Sequence, residues 1–251
     1  MRVDGARVLV AGATGVLGTA VCTALHGRGA RLAVAGRNPH RLAGVTGALS
    51  PDGGGPPPSR TFDAYDLSGC GALPSWAAEE LGGLDAVLAL PGVAGFGTAA
   101  ETEDAVAEHL FTVNALCPLA VLRAALPLLG RGGAIGAVSG VLVERAQPSM
   151  ADYGAAKAAL SHWLTAVRTE ERRRGVQVLD ARLPHLDTGF AGRAVAGTPP
   201  ALPAGVPAEA AADAVVDALA DGAGVLAPGP EPGPGPGPGP GPGGGFATRP
   251  R

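Results

Sequence analysis

Arg7-Val8-Leu9-Val10-Ala11-Gly12-Ala13-Thr14-Gly15-Val16-Leu17-Gly18 runs from five mostly apolar residues into three glycines at three-residue intervals. Helical periodicity then follows, from Val16 to about His26. The apolar run reads as a buried strand, so the glycines fall in a strand-to-helix turn. Each glycine has a physical reason there. One permits the tight turn, one lets the backbone approach a pyrophosphate, and one lets helix and strand pack closely. The helix N-terminus would offer unpaired N–H groups and a positive dipole to phosphates. In a chain with 41 glycines the bare spacing is weak evidence, and an ordinary glycine-rich turn is the competing reading. Its position between the first strand and the first helix favours the nucleotide turn.

Outward from this turn, strand-like segments recur at Arg31–Ala35, Arg60–Ala64, Asp85–Leu90, Ala134–Ser139, Val176–Ala181 and Gly224–Ala227. Helical patterns lie between them, the longest over Glu103–Leu129 and Ala151–Arg174, with a last one at Pro207–Ala220. Ser50–Ser59, rich in Pro and Gly, reads as a loop. Alternation of this kind implies right-handed crossovers and a parallel sheet. The expected fold is α/β: a single doubly wound Rossmann domain over residues 1–227, with about seven parallel strands and helices on both faces. From Pro228 the chain becomes alternating Gly-Pro with a period of two, which excludes collagen. Residues 228–251 are expected to be a disordered tail.

Composition narrows the function classes. A formal charge of −3 gives no electrostatic case for nucleic acid or an anionic membrane. Three cysteines without metal-type spacing read as free thiols in a reducing compartment. Scattered histidines give no support to a metal site. The first apolar run is too short for a signal peptide or a membrane span. A cytoplasmic soluble protein is the expectation.

The second strand ends Ala35-Gly36-Arg37-Asn38, with no carboxylate where NAD-selective folds place one for the ribose hydroxyls. A guanidinium there suits the 2′-phosphate of NADP through forked, charge-assisted hydrogen bonds. NADP(H) is therefore expected rather than NAD(H), with Arg37 as determinant. A solvated arginine opening the next helix is the alternative.

The chain has a single lysine, Lys157, four residues after Tyr153, itself one of two tyrosines. On a helix these two side chains share a face. A phenol titrates near 10, too high for efficient proton transfer at neutral pH. An ammonium at about 4 Å contributes up to roughly 4 kcal/mol at an effective dielectric near 20, before desolvation opposes it. Lys157 is thus expected to lower the pKa of Tyr153. A snorkelling pair on an amphipathic helix is the plainer reading.

At this point the residues resemble the short-chain dehydrogenase/reductase family, over roughly residues 5–227. The resemblance rests on Gly12–Gly18, Asp66 after the third strand, Asn114 in the long helix, Ser139 ending the fifth strand, and Tyr153-x-x-x-Lys157. It implies Tyr153 as proton donor or acceptor, Ser139 orienting the substrate carbonyl, Lys157 on the nicotinamide ribose, and Asn114 holding a water. Cofactor contacts would come from Gly12, Thr14, Gly15, Val16, Leu17, Gly18, Arg37, Asp66, Leu67, Gly92, Tyr153, Lys157 and Pro184. Read without the resemblance, Ser139 is also consistent with turn chemistry, and Asp66 with a helix N-cap. Two departures stand out: Ala89-Leu90-Pro91-Gly92 where the family shows Asn-Asn-Ala-Gly, and Pro184-His185 where it shows Pro-Gly. Ser139 also lies 14 residues before Tyr153, slightly longer than the family's commonest gap.

The leading expectation is an NADP(H)-dependent oxidoreductase interconverting a carbonyl and a secondary alcohol on a small molecule. By the resemblance, Phe96, Val141, Leu142, Met150, Leu186 and Phe190 fall near an apolar substrate pocket, and the long helices pair subunits into a homodimer or homotetramer. A non-catalytic NADP(H)-binding sensor on the same fold is the alternative.

Overall fold

The computed structural model describes residues 1–50, 55–229 and 245–250. Among the described residues there are eight strands: β1 (Arg7–Ala11), β2 (Arg31–Gly36), β3 (Ser59–Thr61), β4 (Ala86–Ala89), β5 (Ala134–Val138), β6 (Gln177–Ala181), β7 (Val225–Pro228) and β8 (Phe246–Arg249). They form one sheet in the order β3-β2-β1-β4-β5-β6-β7-β8. The first seven run parallel, and β8 returns antiparallel to β7. The strand order reverses between β1 and β4. In doubly wound sheets that reversal opens a crevice beyond the carboxyl ends of the strands, where ligands bind.

Among the described residues seven α-helices accompany the sheet: α1 (Val16–Gly27), α2 (Pro39–Ala48), α3 (Leu67–Leu81), α4 (Asp104–Phe111), α5 (Cys117–Ala125), α6 (Ala151–Glu171) and α7 (Ala208–Ala220). Side chains alternate across a strand, and β1 shows the consequence. Val8 and Val10 join one core with Val21 and Leu25 of α1 and Val215 and Leu219 of α7. Leu9 and Ala11 join the opposite core with Leu73 of α3, Val121 of α5 and Leu164 of α6. Both faces of the sheet are therefore covered, which is why its strands read as nearly continuous apolar runs.

The seven parallel strands are as expected, and one expectation needs correction. Phe246–Arg249, placed by the sequence in a disordered tail, instead pairs with β7, in register from Val225↔Arg249 to Pro228↔Phe246. The physical reason is the edge of β7, whose open N–H and C=O groups accept a further strand. Residues 230–244, the rest of the expected tail, lie outside the described residues.

The long helix expected over Glu103–Leu129 is interrupted. Between α4 and α5, Thr112–Leu116 forms one π-helical turn, with the Cys117 N–H donating to the Thr112 carbonyl. Asn114 lies in this turn. Such bulges frequently mark functional sites. The span Asp104–Leu128 is long and apolar enough to cross a membrane by length and composition alone, but half of it is buried inside the fold.

Candidate active site

The glycine turn is shaped by close approach. Gly12 has φ +88°, and a Cβ there would lie 2.8 Å from the Leu90 carbonyl carbon and the Pro91 nitrogen. A Cβ on Gly18 would stand 2.2 Å from the Gly12 carbonyl oxygen, so only glycine lets α1 sit so near β1. Gly15 is the N-cap of α1 and supplies no side-chain cap. A Cβ on it would meet only the Gly12 oxygen, at 3.5 Å. The first-turn N–H groups around Val16 and Leu17 are thus left to an external acceptor, as a pyrophosphate cradle requires.

Thr14 packs against the end of β2, where a Cβ on Gly36 would meet its methyl group at 2.6 Å. Its carbonyl accepts a 2.6 Å hydrogen bond from Arg41 Nη2, which ties α2 to the turn. Sequence reasoning missed Arg41, and only its position one helical turn beyond Arg37 hinted at it. Arg37 is exposed beyond β2. It makes no hydrogen bond or ion pair among the described residues, so its guanidinium is available to a ligand. Asp66 caps α3, its Oδ1 accepting from the Gly69 N–H at 2.9 Å. This is the capping alternative. Leu67 opens the same helix with its side chain partly exposed.

Lys157 and Asn114 converge on Gly92. A Cβ there would lie 3.3 Å from Asn114 Oδ1, 3.6 Å from Lys157 Nζ and 3.9 Å from the ring tip of Phe190. Asn114 is fully buried. Its Oδ1 accepts from the Val93 N–H at 3.1 Å, and its Nδ2 donates to the carbonyls of Val93 and Leu110 at 3.0 and 2.9 Å. Both amide hydrogens are used within the protein, which gives the side chain a structural task. Asn114 clamps the loop after β4, which also compensates for the donor that Pro91 lacks. Pro184 is half-buried just beyond β6.

Tyr153 and Lys157 lie one turn apart on α6. Lys157 is 4% exposed, and its ammonium donates to the Val138 carbonyl at 2.9 Å, leaving two donors. Burial pulls the ammonium down to about 8, while the negative charge of Asp180 opposes that shift. Tyr153 sits in an apolar cluster of Ala94, Phe96 and Met150 with Leu142 and Phe190. Phe96, Leu142, Met150 and Phe190 are four of the six residues expected around the substrate; Leu186 packs instead against the main core. The expected lowering of the Tyr153 pKa is not what the structure shows. Burial pushes the phenol above its ordinary value of 10. The reason is geometric: the nearby ammonium is turned to Val138, and the apolar wall penalises the phenolate.

Ser139 also departs from expectation. It is 1% exposed, and its hydroxyl donates to Asp180. Asp180 also accepts from Ser161 of α6, so the Ser139 proton is given to a carboxylate on the α6 side of the sheet. Gly140, which follows at φ +93°, brings no side chain. Asp180 and its partner Arg182 went unnoticed in the sequence, although an aspartate inside the apolar strand Val178-Leu179-Asp180-Ala181 was a legible signal.

Comparison with known proteins agrees with this geometry. The family model described as short chain dehydrogenase matches residues 6–197. An uncharacterized oxidoreductase of Mycobacterium tuberculosis is 33% identical over 179 residues, covering 69% of each chain. Dehydrogenase/reductase SDR family member 7B of Danio rerio is 29% identical over 76% of this chain. The chain spans 64% of that relative's length. Among solved structures, an alcohol dehydrogenase from Thermococcus sibiricus complexed with 5-hydroxy-NADP superposes with a TM-score of 0.74. It is 25% identical, with 85% of this chain and 90% of that one covered.

Proposed function

The chain belongs to the short-chain dehydrogenase/reductase family of oxidoreductases, and on that premise we propose that it uses NADP(H) to interconvert a carbonyl and a secondary alcohol, with Tyr153 carrying the proton. The observation that carries the reading is the convergence of Lys157 and Asn114 on the side-chain-free Gly92 just after β4, with Tyr153 one turn of α6 from Lys157 and packed with Phe190, which also reaches Gly92. The described residues fit a dinucleotide. The uncapped first turn of α1 would receive the pyrophosphate, Arg37 the 2′-phosphate, and the two remaining Lys157 donors the ribose beside Gly92. When bound, the nicotinamide supplies or accepts the hydride.

The chain's own residues set the proton chemistry. Burial holds Tyr153 as a neutral phenol at neutral pH. In that form the phenol can give its proton to the oxygen of a carbonyl substrate. With the Ser139 hydroxyl committed to Asp180, Tyr153 is left as the principal donor to the substrate oxygen. Phe96, Leu142, Met150 and Phe190 exclude water and favour an apolar substrate. Preference for NADP(H) is supported by the free Arg37, by the missing carboxylate at the end of β2, and by the NADP-type ligand of the Thermococcus structure. A cytoplasmic homodimer or homotetramer accompanies this reading.

A second reading, a cofactor-binding sensor without turnover, draws on the withdrawn Ser139 and the altered Ala89–Gly92 segment. Purified protein offered NADPH or NADH with a panel of apolar ketones and aldehydes separates the two. NADPH oxidation at least tenfold faster than NADH oxidation is expected. Tight NADPH binding with no turnover of any carbonyl would establish the sensor.

A further inference from the structure

Asp180 is fully buried in β6, between Leu179 and Ala181. A carboxylate withdrawn from water needs full hydrogen bonding and opposite charge to be tolerated. Asp180 has both. Its Oδ1 accepts from Ser139 Oγ, and its Oδ2 accepts from Ser161 Oγ at 2.7 Å and Arg182 Nε at 2.8 Å. Arg182 in turn donates to Glu144 Oε1 at 2.9 Å. This network joins the end of β5, the middle of α6 and β6. Lys157 enters it from the side, because its acceptor carbonyl belongs to Val138, the residue before Ser139.

We propose that Asp180 is a positioning residue for the Tyr153–Lys157 pair, acting as the buried counter-ion of Lys157 and, through Ser139, holding the Val138 carbonyl against its ammonium. The kinetic consequence rests on the carbonyl–alcohol reading above; the effect on Lys157 rests on the geometry alone. Charged and titratable neighbours come from three elements. Tyr153 and Arg168 lie on α6, Asp180 on β6 with Arg182 just after it, and Glu144 in the turn after β5. Arg168 and Arg182 both face Asp180. Arg168 is also held by the carbonyls of Val178 and Gly224, at 3.0 and 2.6 Å. Among the described residues, the negative charge of Asp180 favours the Lys157 ammonium against its burial. The usual job of a buried aspartate, pairing with an arginine, accounts for Arg182. It does not account for the link through Ser139 to the backbone that receives Lys157.

The composition supplies an unusually direct test. Lys157 is the only lysine, so full-length protein labelled with isotopic lysine gives one side-chain amine signal in NMR. Its titration midpoint reads Lys157 with or without turnover. Asp180→Asn is expected to lower that midpoint by about one pH unit or more, a tenfold loss in proton affinity. Arg182→Gln, which removes the cation competing for Asp180, is expected to raise it. A structural role alone does not produce shifts of opposite sign. The alkaline limb of kcat/KM should move with the midpoint in each variant. If Asp180→Asn does not fold, Arg182→Gln decides alone. A midpoint in folded Arg182→Gln that falls, or stays within about 0.3 unit of the original, overturns the proposal. Shifts as expected without turnover by any protein, wild type included, sustain the role of Asp180 and sink the carbonyl–alcohol reading. Turnover with an unmoved midpoint overturns the role of Asp180 and leaves that reading standing.

Discussion

The two ends of the crevice are built on different principles. The nucleotide end is made of backbone: Gly12, Gly15 and Gly18 act through the side chains they lack, and the close approach to Leu90 and Pro91 sets the geometry. The chemical end is made of buried polar side chains held by backbone groups and by one another. Asn114 grips Val93, Lys157 grips Val138, and Ser139 grips Asp180. A backbone site depends on local shape and tolerates change around it. A buried polar network depends on every member, because a donor or acceptor left unpaired costs about 1–3 kcal/mol. Changes at the chemical end should therefore act on rate and titration, and changes at the nucleotide end on affinity and stability.

The largest test of that contrast is Tyr153→Phe. Loss of a positioned proton donor should reduce kcat by about 10²–10⁴-fold with NADPH affinity largely kept, as stopped-flow and binding measurements would show. Retained turnover would remove Tyr153 from the chemistry. Gly18→Ala is the counterpart at the backbone end. Its Cβ must displace the Gly12 carbonyl, a strain of about 1–3 kcal/mol, and both the Tm and NADPH affinity should fall. An unchanged Tm would mean that the turn relaxes freely. Arg37→Ala should weaken kcat/KM for NADPH by about 10–100-fold, the worth of a charge-assisted pair, and leave NADH nearly untouched. Equal losses with both cofactors would show that Arg37 does not read the 2′-phosphate.

Titration gives a smaller effect. Lys157 lies at about 8, and an amine carries its charge below its pKa. If the ammonium is the working form, kcat/KM for reduction falls by about one decade per pH unit above that value. A flat profile to pH 10 would exclude Lys157 as the titrating group. The smallest effect concerns the added edge strand. Deleting residues 230–251 removes β8 and its ladder to β7, and should lower stability by about 1–2 kcal/mol while turnover persists. A loss of activity matching Tyr153→Phe would place the C-terminal segment in the site.

Much of this architecture was legible in the chain. The strand–turn–helix of Arg7–Gly18, the alternation that follows it and the Tyr153–Lys157 spacing led to the fold and to the face of α6 that carries the candidate site. Period and spacing are local properties, so the sequence displays them. Three features were not legible, for physical reasons. At the end of β5 the residue after the last ladder pair can turn either way, so Ser139 read as a substrate contact while the fold sends its hydroxyl to Asp180. The pKa of Tyr153 depends on which wins, the ammonium or the apolar wall, and that contest is settled by Phe96, Met150 and Phe190, far apart in the chain. Phe246-Ala247-Thr248-Arg249 is too short to announce a strand, and only the free edge of β7 makes it one.

By itself, then, the sequence determined the wound α/β order, the glycine turn, the absence of an acid at the end of β2 and the uniqueness of Lys157. Each follows from composition or from the period of a strand or helix. Only the tertiary structure decided what Lys157 faces, what Ser139 serves and which groups receive the Asp180 carboxyl inside a sheet. Those are questions of which distant side chains share a low-dielectric interior, where a hydrogen bond or a counter-ion outweighs local preference.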